Sequence, residues 1–185
     1  RFNKKIFLAV DNGIIYAADN LGYLYSIDIS SGQLIWAKNF GVPFRSNIKI
    51  LNNELYLANQ DNKIYCINTT DGETKWNFST TTTLLKSKFK NDIIVNEKGE
   101  LFFINTNGEL YSIDSQSRNI NWVANLKDSN SDSGNQIFSS VPLVMNKENI
   151  FTITQNSFSK FEIISGARIW SRPISSYLKP TLTKN

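Results

Sequence analysis

Short runs of β-branched and aromatic residues alternate with polar turns along this chain. The first four runs are Ile6 to Val10, Ile14 to Ala18, Tyr23 to Asp28 and Leu34 to Lys38. Runs of this length with Asn-Gly or Ser-Gly turns between them are typical of antiparallel hairpins. The pattern therefore predicts a unit of four antiparallel strands.

The first unit recurs three more times, and each copy ends at a tryptophan. The tryptophans are Trp36, Trp76, Trp122 and Trp170. Four residues before each of them stand Gly32, Gly72, Arg118 and Gly166, and eight residues before stand Asp28, Asn68, Asp114 and Glu162. Because the spacing holds in all four copies, these residues are interpreted as the motif of a structural repeat.

A four-stranded unit of this size cannot bury both of its faces alone, and radial stacking of such sheets produces a β-propeller. The alternative is an antiparallel sandwich with accidental similarity between its parts. We expect an all-β chain with one partial propeller domain over 1–185 and four blades at about 4–38, 47–79, 91–124 and 140–173. Residues 175–185 resemble 139–149, so they predict the start of a further blade in a larger propeller of seven or eight blades.

The repeated residues are expected to have separate structural tasks. The glycines suit a chain reversal with positive φ, and Arg118 indicates that the third unit makes this turn in another way. The acidic or amide residue can accept backbone N–H bonds across the turn. Each tryptophan is expected to pack where two blades meet rather than stack on a cofactor, because four copies cannot all line one central site.

Composition narrows the chemistry that this chain can carry. Its formal charge is +4 with scattered basic residues, which argues against nucleic-acid binding. It has no histidine, and this removes the commonest general base and the Ser-His and Cys-His nucleophile pairs. The one cysteine, Cys66, excludes an intrachain disulfide and is expected to be a small packing residue. We expect no catalytic, metal-binding or cofactor-binding residue, and no cofactor.

The run from Ser26 to Trp36 resembles the pyrroloquinoline-quinone (PQQ) type repeat, whose tryptophan-docking motif reads roughly A-x-D-x-x-T-G-K-x-x-W. Cys66 to Trp76 and Lys160 to Trp170 are looser copies, and Ser112 to Trp122 lacks the glycine. The resemblance implies a β-propeller. It is shared by quinoprotein dehydrogenases, by BamB-like scaffold lipoproteins of the outer-membrane assembly machine and by luminal stress sensors.

The blade-opening segments Phe44-Arg45-Ser46 and Ser139 to Val144 are similar to those of the BamB-like scaffolds. This resemblance implies a non-enzymatic protein-protein interaction scaffold in outer-membrane protein assembly, located in the periplasm or at the outer membrane. It implies protein partners at the blade-end loops and only indirect membrane contact, through a lipid anchor or a partner outside this piece.

Two alternatives remain open on the same resemblance. The first is a fragment of a PQQ-dependent alcohol or sugar dehydrogenase, with PQQ and calcium as cofactors; such enzymes have a vicinal Cys-Cys pair, which this chain lacks. The second is a luminal stress-sensor propeller.

Candidate partner contacts are sought in the stretches that do not repeat. The residues are Phe44, Arg45, Lys86, Lys88, Asp128, Asn130 and Asp132. Lys86 and Lys88 alternate as on a solvated strand edge. The spacing of the last three superficially matches a calcium loop, but Gly134 comes one place later than an EF-hand requires. We therefore expect a polar loop between blades.

Overall fold

The computed structural model describes residues 5–81, 91–127, 142–154, 156–174, 176 and 180–182. These residues form sixteen strands in four separate sheets, and each sheet contains four strands. Consecutive strands pair antiparallel in every sheet, so each sheet is a simple meander, called a blade below. The structure confirms the predicted all-β class and the predicted four strands per unit.

The strand bounds follow the repeat. Blade 1 contains β1 (Ile6–Asp11), β2 (Ile14–Asp19), β3 (Tyr23–Asp28) and β4 (Leu34–Asn39). Blade 2 contains β5 (Lys49–Leu51), β6 (Glu54–Ala58), β7 (Lys63–Asn68) and β8 (Thr74–Ser79). Blade 3 contains β9 (Ile93–Val95), β10 (Glu100–Ile104), β11 (Glu109–Asp114) and β12 (Ile120–Asn125). Blade 4 contains β13 (Leu143–Met145), β14 (Asn149–Ile153), β15 (Phe158–Glu162) and β16 (Arg168–Arg172).

A β-bulge lies at the same place in every blade, between the third and fourth strands. In blade 1 the pairing passes from Ser26 opposite Trp36 to Ile27 opposite Leu34, which leaves Ile35 as the extra residue. The other tryptophans likewise lie opposite Cys66, Ser112 and Lys160, each followed by the same shift. A bulge redirects the side chains next to it, so it sets the direction of the tryptophan as part of the repeat.

The turn that precedes each tryptophan has one conformation in all four blades. Gly32, Gly72 and Gly166 have φ near +70°, and Arg118 has φ of 64°. The Arg118 N–H donates to the Asp114 carbonyl at 2.8 Å, as the Gly32 N–H donates to the Asp28 carbonyl at 2.9 Å. The expectation that the third unit makes this turn in another way is therefore wrong. The turn hydrogen bonds hold Arg118 in a left-handed conformation that a non-glycine residue seldom adopts.

The chain divides into two compact units, 1–88 and 89–185. In the first unit, Leu24 and Trp36 of blade 1 pack in one core with Leu55, Leu57 and Ile67 of blade 2. The alternation of the strands places these side chains on the blade faces that meet. The core of the first unit is therefore the interface between its blades.

The second unit is built in the same way. Phe102 and Leu110 of blade 3 pack with Ile150, Phe161 and Ile163 of blade 4. All five side chains are buried. Each unit thus buries its apolar surface between two sheets, which is what a single four-stranded sheet cannot do alone.

Candidate partner-binding surface

The tryptophan of one blade docks on the turn of the next within each unit. The Trp36 Nε1–H donates to the Thr69 carbonyl at 2.9 Å, and the Trp122 Nε1–H donates to the Ile163 carbonyl at 2.8 Å. A Cβ atom at Gly72 would lie 2.7 Å from Trp36 Cε3, and one at Gly166 would lie 2.4 Å from Trp122 Cδ2. The glycine therefore has a second role besides its positive φ, because it leaves room for the indole.

The acidic and amide residues of the motif are engaged in the same turns. Asp28 Oδ1 accepts the backbone N–H groups of Ser30 and Ser31 at 3.0 and 2.7 Å. Hydrogen bonds from the Ser30 and Ser31 hydroxyls, together with these backbone bonds, lower the pKa of the Asp28 carboxyl to about 2. Asn68 Oδ1 accepts the Thr70 N–H at 2.8 Å in blade 2.

The turns of blades 3 and 4 use the same type of residue. Asp114 Oδ1 accepts the Gln116 and Ser117 N–H groups, which lowers the pKa of its carboxyl. The Ser165 hydroxyl donates a hydrogen bond to the Glu162 carboxylate. Since these side chains hold the repeated turns, we assign them a structural role.

Cys66 lies opposite Trp76 in blade 2 and is poorly suited to nucleophilic chemistry. Its thiol is fully buried, and burial together with the negative charge of Glu54 raises its pKa to about 12. Glu54 is paired with Lys75 at 2.8 Å and with the Tyr56 hydroxyl. A thiol with this pKa is protonated at neutral pH, and the thiolate is the reactive form.

Two of the residues expected at partner contacts are described by the structure, and they differ. Phe44 is fully buried, with its ring packed edge-on against Phe40 and Tyr65 at 5.3 and 6.2 Å. It therefore offers no surface to a partner, and that expectation is wrong. Arg45 is half-buried, and its burial lowers the pKa of the guanidinium.

The remaining expected contacts lie outside the described residues. They are Lys86, Lys88, Asp128, Asn130 and Asp132. The sequence prediction for these five residues stays a prediction.

A cleft of about 670 Å³ lies between blades 3 and 4, at the end where the first strand of each blade turns into the second. Val95, Met145 and Ile163 provide its apolar floor. The turn residues that line it are Asn96, Glu97, Lys98, Asn146 and Lys147. Sequence reasoning missed this cleft, although the alignment of the units does place the turns after β9 and β13 at the same end of their blades.

Side-chain caps hold both turns of the cleft. Asn96 Oδ1 accepts the N–H groups of Lys98 and Glu100 at 3.0 and 2.9 Å. Asn146 Oδ1 accepts those of Glu148 and Asn149 at 3.0 and 2.8 Å. The two caps fix the backbone of the turns that line the cleft.

The charged groups at the rim of the cleft are accessible. Glu97, Lys98 and Lys147 are exposed, whereas the three floor residues are half-buried or buried. An apolar floor with a few polar groups at its edge is a common form of binding site. This arrangement suits an apolar side chain of a partner with a carboxylate beside it.

Two searches of the described residues bear on other functions. In the ranges given above, no group of three or more Cys, Asp or Glu side chains is placed to hold a metal ion. Within the same ranges, no helix is long and apolar enough to cross a bilayer.

The family described as outer membrane protein assembly factor BamB matches residues 2–185 of this chain. A protein of that name from Moranella endobia is 33% identical over 67 residues, which cover 36% of this chain and 17% of the relative. Another from Shewanella oneidensis is 27% identical over 130 residues, covering 60% of this chain and 33% of the relative. The chain thus matches a third or less of the length of these relatives.

Solved structures share the fold of this chain. The crystal structure of BamB from Moraxella catarrhalis superposes with a TM-score of 0.79 at 12% identity, over 95% of this chain and 54% of that one. The computationally designed Ika8 protein superposes with a TM-score of 0.73 at 10% identity, over 96% of this chain and 52% of that one. The likeness to BamB, with the four meander sheets, confirms the predicted β-propeller class.

Proposed function

The chain belongs to the family of the outer membrane protein assembly factor BamB, and from this premise we propose that it is a protein-binding scaffold in outer-membrane protein assembly. The family description agrees with the location expected from the sequence, in the periplasm or at the outer membrane. The proposed scaffold binds protein partners through the turns at the ends of its blades.

The cleft between blades 3 and 4 is the observation that best supports a contact surface for a partner. Its floor of Val95, Met145 and Ile163 offers apolar area that a partner side chain can bury. Lys98 and Lys147 stand on two different turns at its rim, where each can pair with a partner carboxylate. We propose that this cleft receives an apolar side chain of a protein partner with an acidic residue next to it.

A non-enzymatic role is supported by the way this chain uses its reactive groups. Asp28 and Asp114 accept backbone hydrogen bonds in turns, and burial keeps the Cys66 thiol protonated. The two carboxylates are engaged in holding turns, and the protonated thiol is the unreactive form of cysteine. The proposal requires no cofactor.

The experiment is a capture assay with the tagged 185-residue chain and an envelope extract of the source organism. We expect the chain to recover a component of the outer-membrane assembly machine, identified by mass spectrometry. The double variant Lys98→Glu/Lys147→Glu should lose this component, because it replaces two cations at the rim by carboxylates. Failure of the unaltered chain to recover any such component would refute the proposed function.

A matched control separates the cleft from net charge. Lys5 and Lys127 are exposed residues outside the cleft lining, and Lys5→Glu/Lys127→Glu changes the charge by the same amount. We expect this control to retain the partner. Equal loss from both double variants would show that the cleft is not the contact surface, while leaving the scaffold function supported.

A further inference from the structure

The floor of the cleft between blades 3 and 4 contains the one methionine of this chain, Met145. It is the last residue of β13 and lies opposite Ile150 in the sheet. The strand registers place a β-branched residue at the same position of the other three blades, namely Val10, Ile50 and Val95. Because β-branched residues suit a strand, the methionine is the exception, and it gives the cleft an oxidisable sulfur atom.

Met145 stands at the boundary between the core of the second unit and solvent. Its side chain packs at the edge of that core, where Ile150 is fully buried and Ile163 is 6% exposed. Met145 itself is half-buried and lines the cleft, whose rim residues Lys98 and Lys147 are exposed. A small solute that enters the cleft can therefore reach the thioether.

The other sulfur atom of the chain, in Cys66, is protected from oxidation. Its thiol is fully buried and has a pKa raised to about 12, so little of the thiolate that oxidants attack is present at neutral pH. A thioether has no proton to lose, so its reactivity depends on access rather than on a pKa. Met145 is therefore the sulfur that an oxidant in solution reaches first.

We propose that Met145 is an oxidation site, at which a peroxide converts the thioether to a sulfoxide and thereby weakens binding of an apolar partner side chain in the cleft. A lone pair of the sulfur forms the S–O bond while the O–O bond of the peroxide breaks. The proton of the transferred oxygen passes to the departing hydroxide, so the sulfur is oxidised by two electrons and hydrogen peroxide is reduced to water. The oxidation is independent of the proposed function, whereas its effect on binding rests on that function.

The sulfoxide changes what the floor of the cleft offers to a partner. Oxidation of this kind turns a flexible apolar side chain into a polar one. An apolar partner side chain cannot pair with the new oxygen, and burial of a polar group without a hydrogen bond is unfavourable. The neighbouring turn is held by the Asn146 side chain, which accepts the Glu148 and Asn149 N–H groups. We therefore expect oxidation to alter the floor and to leave the fold in place.

The first test is mass spectrometry of tryptic peptides after treatment of the folded 185-residue chain with hydrogen peroxide. We expect one added oxygen on the peptide that contains Met145 and none on the peptide that contains Cys66. Both sulfur atoms should react when the same treatment is made in urea. Oxidation of Met145 in the folded chain that is no faster than that of Cys66 would overturn the assignment of the site.

The second test measures binding of the assembly-machine component that the capture assay recovers. Oxidation should raise the dissociation constant for this component at least about tenfold, and methionine sulfoxide reductases with a dithiol should restore the original value. Met145→Leu is the matched control, because leucine is similar in volume and has no sulfur. We expect this variant to bind equally before and after the peroxide treatment, and circular dichroism verifies that every sample is folded.

Two results would overturn the effect on binding. They are equal dissociation constants for the oxidised and unaltered chains, and an equal loss of binding in peroxide-treated Met145→Leu. Either result would leave the proposed scaffold function in place. If the unaltered chain recovers no component, the proposed function fails and the effect on binding fails with it, while the peptide masses still decide whether Met145 is the oxidation site.

Discussion

Substitution of Gly72 by alanine tests whether docking of the tryptophan, rather than the turn alone, requires glycine. Gly72 has φ of 72°, where a Cβ atom costs about 1–2 kcal/mol. The new atom would also lie 2.7 Å from Trp36 Cε3 and 2.9 Å from Cδ2. Overpacking of this kind costs about 1–3 kcal/mol. We therefore expect Gly72→Ala to lower the free energy of unfolding by about 2–5 kcal/mol.

Gly41→Ala separates the two contributions, because Gly41 has the same φ and an open Cβ position. We expect a cost of only about 1–2 kcal/mol there. The assay is urea-induced unfolding followed by circular dichroism, with thermal unfolding as a second measurement. The difference between the losses of unfolding free energy in the two variants is the cost of the clash between the new methyl group and the indole.

The Trp36→Ala background gives the decisive comparison. Removal of the indole should itself cost about 3–5 kcal/mol. In that background Gly72→Ala should cost no more than Gly41→Ala, because the methyl group no longer meets a ring. If Gly72→Ala and Gly41→Ala were equally destabilising in the unaltered chain, the docking interpretation would be refuted.

Three further predictions concern single side chains. The pKa of the Asp28 carboxyl is lowered from 3.8 to about 2, so its contribution to stability is present above the unfolded pKa and is lost as the pH falls through about 2. Asp28→Asn should therefore flatten the pH dependence of the denaturant midpoint between these two pKa values. An unchanged slope would contradict this prediction. The buried Cys66 thiol, with a pKa of about 12, should react with a maleimide at neutral pH far more slowly in the folded chain than in urea, and equal rates would show that it is accessible. Arg118→Gly should raise the free energy of unfolding by about 1 kcal/mol by relieving a left-handed φ of 64°, whereas Arg118→Ala should bring no gain in thermal unfolding.

Only part of the candidate surface can be predicted from the sequence. The stretch around Phe44 and Arg45 does not repeat and therefore predicts a partner contact, yet Phe44 packs against Phe40 and Tyr65. A residue outside the repeat can still be core, because burial depends on which neighbouring sheet covers it. The cleft floor at Val95 and Met145 was missed for the complementary reason, since a gap between two sheets is not a property of either strand.

The sequence by itself determined the strands, their meander order and the repeated turn, because apolar alternation and Asn, Ser and Gly turns are local signals that recur four times. The structure decided that the third turn matches the others, since local hydrogen bonds to Asp114 hold Arg118 at the same positive φ as Gly32. It also decided what the motif glycine is for. Gly72 and Gly166 face an indole from the preceding blade, and that close approach exists only once two sheets have packed.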